Sequence, residues 1–382
     1  METMQSWFGL KEGHNDFSIE TETDAALFFA RHELDEQLNA ILRRSFRTGN
    51  PPKMVLYGDW GVGKTHTMRH MQYVIEHNDD FQATVIFVEL PDITSRSTFQ
   101  VAHSALLDAI GFDRAKQWVL QYQTRHPNDA YDRIKDFTQS GDVATAFANM
   151  LAFGEGSRIA WDWLRGLQLT AADARLAGLP PSLTQSNHFV RVLQILGRFS
   201  QEVDGKLIVF MLDEATKLGS VTVQDAVNHW LNSFKLLADQ QTKEVGFIVS
   251  GSWIDPEDMA LPLQDQQVIT RFGEPNYILL HRLDEHDTAI FLRALLAEWI
   301  NPDSREQLLT TFGKEAEGEA VEADTFPFTG LGLDIAVKYT CRQGGFTTPR
   351  DIQVTLDDLL NRAIDDERHV LASSYISQLV GA

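Results

Sequence analysis

The chain has 382 residues, of which 43% are hydrophobic and 23% are charged, and its formal net charge is −21. These proportions are ordinary for a globular protein, whereas the strong negative charge argues against a broad, non-specific DNA-binding surface. The single cysteine, Cys341, excludes an internal disulfide and any multi-cysteine metal site.

The sequence also bears on the compartment. A lone cysteine fits a reducing environment, and the chain contains no run of about 18 apolar residues that would predict a membrane span. Its first residues lack the basic and apolar regions of a signal peptide. We therefore predict a cytoplasmic protein without a membrane segment.

The first stretch with a clear periodicity covers residues 24–46. Leu27, Leu34, Leu38 and Ile41 recur near helical spacing and predict a helix that ends before residues 49–52, Gly-Asn-Pro-Pro. We expect residues 1–50 to form an N-terminal segment that packs on the domain that follows.

Residues 58–65 match the pattern G-x-x-x-x-G-K-[ST], between an apolar run at 54–57 and a predicted helix at about 64–76. Glycines let successive N–H groups turn toward phosphate oxygens, and the start of a helix adds partial positive charge. The alternative is an ordinary glycine-rich turn. The residues predicted to hold a nucleoside triphosphate are Gly58, Asp59, Trp60, Gly61, Val62, Gly63, Lys64, Thr65 and His66.

Two of these side chains have predicted roles in chemistry. Lys64 is expected to reach the β- and γ-phosphates, and the Thr65 hydroxyl is expected to hold Mg²⁺. The sequence therefore predicts a nucleotide and a magnesium ion as ligands.

A second apolar run, at residues 84–90, predicts a strand buried on both faces of a parallel sheet. A helix is expected at about 97–110. Residues 113–186 then mix aromatic and charged side chains at helical spacing, which predicts a helical insertion. Its aromatic residues either form a small core of their own, which we favour, or a surface for a partner.

Lys206 precedes an apolar run at 207–212, which Asp213 and Glu214 follow. Ligands of parallel α/β sheets bind beyond the carboxyl ends of the strands. We predict that Asp213 holds Mg²⁺ and that Glu214 polarises the attacking water. The alternative is that both carboxylates only cap the next helix.

Three further candidates follow along the chain. Ser250 or Ser252, at the end of the strand that begins at residue 245, could bond the γ-phosphate, and we count Ser252 as catalytic. Arg271, in a predicted loop between two sheet elements, either inserts into the next subunit's site or has a ribose-side or surface role in its own subunit. Arg350 follows a turn at 344–348 and either reaches the γ-phosphate or forms a solvated salt bridge; Pro349 fits a helix start there.

The order of these motifs resembles that of the AAA+ ATPases. The resemblance is strongest to the branch of initiator-type (origin-recognition) ATPases and the related transposon-regulator and secretion ATPases. The matching segments are residues 58–65 (Walker A), 207–214 (Walker B), 245–252 (sensor 1), 270–272 (arginine finger), 344–350 (sensor 2), and 7–10 with 28–31 (N-terminal segment).

This resemblance implies an α/β P-loop NTPase fold with a five-stranded parallel sheet. The ATPase domain would span 51–280, with the helical insertion at about 113–186 and an all-helical lid at 281–382. It also implies ATP and Mg²⁺ as ligands, and hydrolysis at an interface between identical subunits.

The function expected from the resemblance is an oligomeric switch that acts on a protein partner, such as an effector nuclease or a transposase-like protein. Sensor 1 of the initiator branch is often Asn, whereas residues 250–252 here are Ser-Gly-Ser, so one alternative is a nucleotide-locked scaffold with little turnover. Another is a DNA-loading ATPase, supported by a basic strip of Arg43, Arg44 and Arg47 but not by the net charge.

Overall fold

The structure is a computed structural model that describes residues 3–239, 241–341 and 344–381. These residues form two compact units. The first unit combines the chain up to Glu36 with Asp59–His70 and the chain from Leu280 onward. The second unit consists of Gln37–Gly58 and Met71–Leu279.

The second unit is built on a five-stranded parallel sheet in the order β2-β3-β4-β1-β5. The five-stranded parallel sheet predicted for this chain is thereby confirmed. The strands are β1 Lys53–Gly58, β2 Ala83–Glu89, β3 Leu207–Asp213, β4 Val245–Ser252 and β5 Tyr277–Leu280.

Apolar runs explain why these segments form the sheet. Every residue of β1 is buried, as are six of the seven residues of β3, which is expected for strands covered on both faces. In the register of the sheet, Glu89 lies opposite Asp213, and Gly58 lies opposite Ser252. The polar residues that follow the apolar runs therefore lie along one edge of the sheet.

Helices account for most of the remaining chain in both units. None of those in the described residues is long and apolar enough to span a membrane. They are α1 Met4–Phe8, α2 His32–Thr48, α3 Lys64–Glu76, α4 Gln100–Ile110, α5 Phe112–Arg125, α6 Ala130–Thr138, α7 Gly141–Asn149, α8 Glu155–Leu164, α9 Ala171–Ala177, α10 Ser186–Asp204, α11 Gln224–Ala238, α12 Leu261–Gln264, α13 Gln266–Phe272, α14 Glu285–Trp299, α15 Pro302–Phe312, α16 Gly330–Thr340, α17 Pro349–Asp365 and α18 Ser373–Val380.

The predicted helix at 24–46 begins later than expected. Helix α2 starts at His32, and residues 21–26 form turns. Ala30 has a φ of 54°, in the left-handed region that an α-helix of L-residues does not pass through. The apolar spacing on its N-terminal side belongs to a segment folded as turns.

Helices α5 to α9 occupy the predicted insertion, and the described residues between 112 and 177 contain no strand. Its large aromatic side chains do not form a separate core. Tyr122, Phe147 and Trp163 are fully buried in the same hydrophobic cluster as Phe210 of β3. The prediction of a private core is wrong because these helices pack on α10 and α4, which also cover the sheet.

The first unit has its own core. Trp7 and Phe8 of α1 join Trp299 of α14 and Leu356 of α17 in one buried cluster, and the Trp7 indole N–H donates a 2.8 Å hydrogen bond to the Arg368 carbonyl. The predicted helical C-terminal region is mostly helical, with one small exception. Two short strands, β6 Leu283–Asp284 and β7 Phe346–Thr347, pair antiparallel.

Candidate nucleotide-binding site

The phosphate loop joins β1 to α3, so the strand–loop–helix order predicted from the sequence is present. Gly61 and Gly63 have φ values of 80° and 92°, in the region that favours glycine. A Cβ atom on Gly61 would lie 2.9 Å from the Thr348 hydroxyl oxygen. The loop therefore needs glycine at residue 61 for both its backbone conformation and its close approach to Thr348.

Lys64 is the first residue of α3, and its side chain is buried. Its ammonium group donates a 2.7 Å hydrogen bond to the Asp59 carbonyl at the other end of the loop. Thr67, one turn on, closes the loop by donating from its hydroxyl to the Gly63 carbonyl at 2.9 Å. The loop thus curls around the ammonium group of Lys64, which suits an anion bound inside it.

Asp59 places a negative charge within the loop, and an arginine beside it balances that charge. Arg282 donates from Nε to the Asp59 carboxylate at 3.0 Å and also from Nη2. This hydrogen bond lowers the pKa of Asp59. With Arg282 in place, the carboxylate is no barrier to phosphate binding nearby.

Trp60 and Arg350 form a second contact on the loop. The Arg350 guanidinium lies over the Trp60 indole, 3.9 Å from the ring centroid, as a cation–π pair. Trp60 is 60% exposed, and Arg350 sits in the first turn of α17 after its N-cap, Thr348. Pro349 begins that helix, as predicted. Arg350 therefore lies beside the loop, held by stacking rather than by a salt bridge.

Arg31 precedes α2 and ties two segments of the first unit together. Its Nη2 donates to the Val62 carbonyl of the loop at 2.7 Å and to the His281 carbonyl at 3.1 Å. Burial lowers the pKa of Arg31 to about 10, so the side chain still carries its charge at neutral pH. A buried cation beside the loop adds to its affinity for anions.

His66 lies on the face of α3 that meets the N-terminal segment. Its Nε2 donates to the Leu27 carbonyl at 2.5 Å, and burial lowers the pKa of the imidazole. The Phe28 ring stacks on His70, one turn along the helix, with 4.4 Å between centroids and an interplanar angle of 4°. These rings form an aromatic wall one turn away from the phosphate loop.

A cavity of about 310 Å³ lies between these elements of the first unit. Among the residues that the structure describes, no carboxylate lines it. Its volume is in the range of small-molecule sites, and it combines an apolar, aromatic wall with convergent cations. The residues fit a nucleotide, with glycines for the phosphates and an aromatic wall for a base. Its lining includes Phe28, Phe29, Arg31, Gly61, His66 and Arg350.

The predicted acidic pair lies in the second unit, at the carboxyl end of β3. Asp213 is buried and Glu214 is exposed. Glu214 has a φ of 59°, an uncommon conformation for a residue with a side chain, and its N–H donates to the Asp213 carboxylate at 2.9 Å. Such conformations cost free energy and occur most often at functional sites.

The two candidate serines on β4 have different surroundings. The Ser250 hydroxyl is buried and donates to the Asp213 carboxylate. Ser252 is half-buried, and its N–H donates to the Thr216 hydroxyl at 2.5 Å. Ser250 therefore orients Asp213, which leaves Ser252 as the serine whose hydroxyl can meet a ligand.

Arg271 lies in the second unit. The sequence predicted a loop at this residue, but the structure has a helix there. Arg271 occupies the last turn of α13, a seven-residue helix whose N-cap, Asp265, accepts from the Gln267 N–H. Its Nη1 donates to the Lys235 carbonyl at 2.9 Å. The loop prediction was wrong because so short a helix has no clear apolar periodicity.

Sequence reasoning missed three side chains of the site, namely Phe28, Arg31 and Arg282. Phe28 and Arg31 belong to residues 28–31, whose only signal was the family resemblance. Arg282 follows β5 and has no local pattern. Its role depends on Asp59, which is 223 residues away in the chain.

Solved structures with a similar backbone include these three. The Orc2 protein of Aeropyrum pernix, solved in ADPNP–ADP complexes, has 11% identity and a TM-score of 0.49, with 93% of this chain and 68% of that one covered. Cdc6p of Pyrobaculum aerophilum has 14% identity and a TM-score of 0.47, with 89% of this chain and 64% of that one covered. The Aeropyrum pernix Orc1 protein in complex with DNA has 11% identity and a TM-score of 0.46, with 93% of this chain and 66% of that one covered.

The chain thus spans slightly less than two thirds of the Orc1 and Cdc6p structures. No protein-family model matches the sequence, and a search of curated proteins found no match. The features of this chain that agree with the predicted fold are its five parallel strands, the phosphate loop after β1 and the mostly helical C-terminal region.

Proposed function

We propose that this chain is an AAA+ ATPase that hydrolyses ATP at an interface between identical subunits and acts as a switch on a protein partner. The observation that carries the proposal is the phosphate loop, with its glycines in the left-handed region and Lys64 buried inside it. Phe28 and His66, whose rings are stacked and line the cavity beside the loop, support an adenine nucleotide rather than a simple phosphate.

Each residue of the proposed site has its own role in hydrolysis. The loop and Lys64 bind the phosphates, and Thr65 and Asp213 hold Mg²⁺, which supplies charge neutralisation when bound. Glu214 orients and polarises the attacking water, and Ser252 bonds the γ-phosphate or that water. Arg271 of a neighbouring copy stabilises the charge that develops on the γ-phosphate, as arginine fingers do.

The proposed assembly is therefore a homo-oligomer joined through its nucleotide sites, located in the cytoplasm. The partner on which it acts is proposed to be a protein, with an effector nuclease or a transposase-like protein as the expected class. The negative charge of the chain, −21, disfavours nucleic acid as the main partner.

Lys64→Ala tests the nucleotide site. The substitution removes a charge-assisted contact to the phosphates, so ATP affinity should fall by roughly 10- to 100-fold, and turnover should be lost. Titration with a fluorescent ATP analogue and a phosphate-release assay would measure both effects. Lys206→Ala, at an exposed lysine before β3, is the matched control and should change neither. ATP binding that survives Lys64→Ala unchanged would refute the proposed site.

A second candidate function is a nucleotide-locked scaffold. The observation favouring it is the Ser250 hydroxyl, which is committed to Asp213 and so does not serve as a γ-phosphate sensor. A scaffold would bind ATP through Lys64 but release no phosphate above the background rate. The same pair of assays therefore separates the two functions.

Nucleotide binding should also change the fluorescence of Trp60. If Arg350 turns to the γ-phosphate, it leaves the indole over which it now lies. A slowly hydrolysed ATP analogue should therefore change the emission more than ADP does, and Arg350→Ala should remove that difference. The chain has eight tryptophans, so Trp60→Phe identifies the signal. Equal spectra with ADP and the analogue in the wild type would contradict a γ-phosphate role for Arg350.

A further inference from the structure

A second cavity, of about 460 Å³, lies in the second unit near the amino ends of β1 and β5. It is at the opposite end of the strands from Asp213 and Glu214. Four basic side chains from four different segments line it: Arg44 of α2, Lys53 of β1, Lys243 before β4 and Arg271 of α13.

We call this second cavity the basic pocket. Its charge is opposite in sign to the net charge of the chain. The sequence has 54 acidic and 33 basic residues, yet none of the described residues that line the pocket is a carboxylate. Across the described residues, no ion pair involves Arg44, Lys53, Lys243 or Arg271, whereas seven other arginines pair with acids. Four like charges around one cavity repel each other, and a bound anion would offset that repulsion.

The basic groups lie at different depths. Lys53 is buried, and its ammonium donates to the Asp239 and Thr242 carbonyls. Arg271 is half-buried and uses one of its five N–H donors on the Lys235 carbonyl, so other donors are available to a pocket ligand in a copy whose Arg271 is not engaged at a neighbouring site. Arg44 and Lys243 are exposed at the rim. A ligand with several anionic groups in a row could contact cations from the rim to the floor.

We propose that the basic pocket binds a small molecule that carries a di- or triphosphate group. Such a group has about three or four negative charges near neutral pH, which matches the four cations. The concave shape and the volume are those of a small-molecule site. The one aromatic residue in the lining, Phe272, is itself buried in the core, so it presents no face on which a base could stack.

The probe is inorganic tripolyphosphate, titrated calorimetrically into the full chain at about 0.15 M salt. Two binding events are expected, because the phosphate loop of the proposed function also takes phosphates. Arg44→Ala/Lys243→Ala should remove one event or weaken it at least tenfold. Lys64→Ala should remove the other. Arg96→Ala/Lys206→Ala removes the same charge from two exposed sites outside the pocket and should keep both events.

The outcomes separate this inference from the proposed function. A single event that disappears with Lys64→Ala alone overturns the basic pocket and leaves the ATPase proposal standing. A single event that disappears with Arg44→Ala/Lys243→Ala alone supports the pocket and counts against the nucleotide site. If a DNA duplex binds through Arg44 and Lys243 while tripolyphosphate does not, the pocket is part of a nucleic-acid surface and the small-molecule proposal is wrong.

Proton uptake gives a second measurement. Burial lowers the pKa of Lys53 to about 8, against the opposing effect of the Asp239 and Glu244 carboxylates. The other charged residues that line the pocket are Arg44, Lys243 and Arg271. A phosphate group beside Lys53 would raise that pKa, so binding at pH 8 should take up protons. The binding enthalpy of the Arg44-dependent event should then vary with the ionisation enthalpy of the buffer. Equal enthalpies in two such buffers would show that the ligand does not reach Lys53, contrary to the proposal.

Discussion

Glu214→Gln is expected to reduce ATP turnover by roughly 10²- to 10⁴-fold, the range that a positioned general base contributes. ATP affinity should stay within about a factor of three, because the proposed role of Glu214 is toward water and not toward the phosphates. The measurement is single-turnover phosphate release beside an ATP titration. Turnover close to the wild-type rate in Glu214→Gln would remove Glu214 from the mechanism.

The structure explains why the expected effect is specific to this carboxylate. Glu214 is exposed, and its left-handed backbone conformation is fixed by its N–H bond to Asp213. Glu89 lies at the same edge of the sheet, in register with Asp213, but its carboxylate accepts a 2.9 Å hydrogen bond from Lys217. Glu89→Gln makes the same chemical change one strand away and is the matched control; its turnover should remain near the wild-type rate.

The parts of the candidate site that are formed by residues close together in the chain could be predicted from the sequence. A phosphate loop is defined by glycines and a lysine within eight residues, and its strand and helix follow from the apolar runs on either side. Asp213 and Glu214 were found in the same way, since the end of a buried strand is visible as the end of an apolar run. The five-stranded parallel sheet followed from such runs together with the family resemblance.

The remaining parts depend on contacts between distant segments, which leave no local pattern. Arg282 and Asp59 become partners only when the chain folds, and the Arg31 bonds to Val62 and His281 are equally long-range. The choice between Ser250 and Ser252 needed the position of Asp213 on the neighbouring strand. The sequence predicts a separate core for the aromatic residues of α5 to α9. The helices on which they pack, α4 and α10, lie just outside the insertion in the chain, and no local pattern links them to it.

The same limit explains the two errors of local structure. Helix α2 was predicted to begin too early because the apolar spacing runs on through turns, and the left-handed conformation of Ala30 has no signal in an alanine. Arg271 was assigned to a loop because its helix is short.

The strongest test of a shared site combines two inactive variants. Arg271→Ala alone should lower turnover by roughly 10³-fold or more, the range reported for arginine fingers. Lys64→Ala alone should be inactive for lack of bound nucleotide. If Arg271 acts on the neighbouring copy, a mixed assembly contains interfaces where the intact loop of an Arg271→Ala subunit meets the intact arginine of a Lys64→Ala subunit. Activity should therefore return on mixing, to about a quarter of the wild-type level at equal amounts.

A matched mixture gives the contrast. Lys64 and Glu214 are proposed to act in the same copy, so mixing Lys64→Ala with Glu214→Gln leaves every interface with a defect and should restore nothing. Arg271→Lys alone should not recover the turnover that Arg271→Ala loses, because lysine lacks the planar fork that binds phosphate in two places. If the Arg271→Ala and Lys64→Ala mixture stays inactive although the subunits co-assemble, Arg271 acts within its own subunit. Its bond to the Lys235 carbonyl and its place in the basic pocket would then be its whole role.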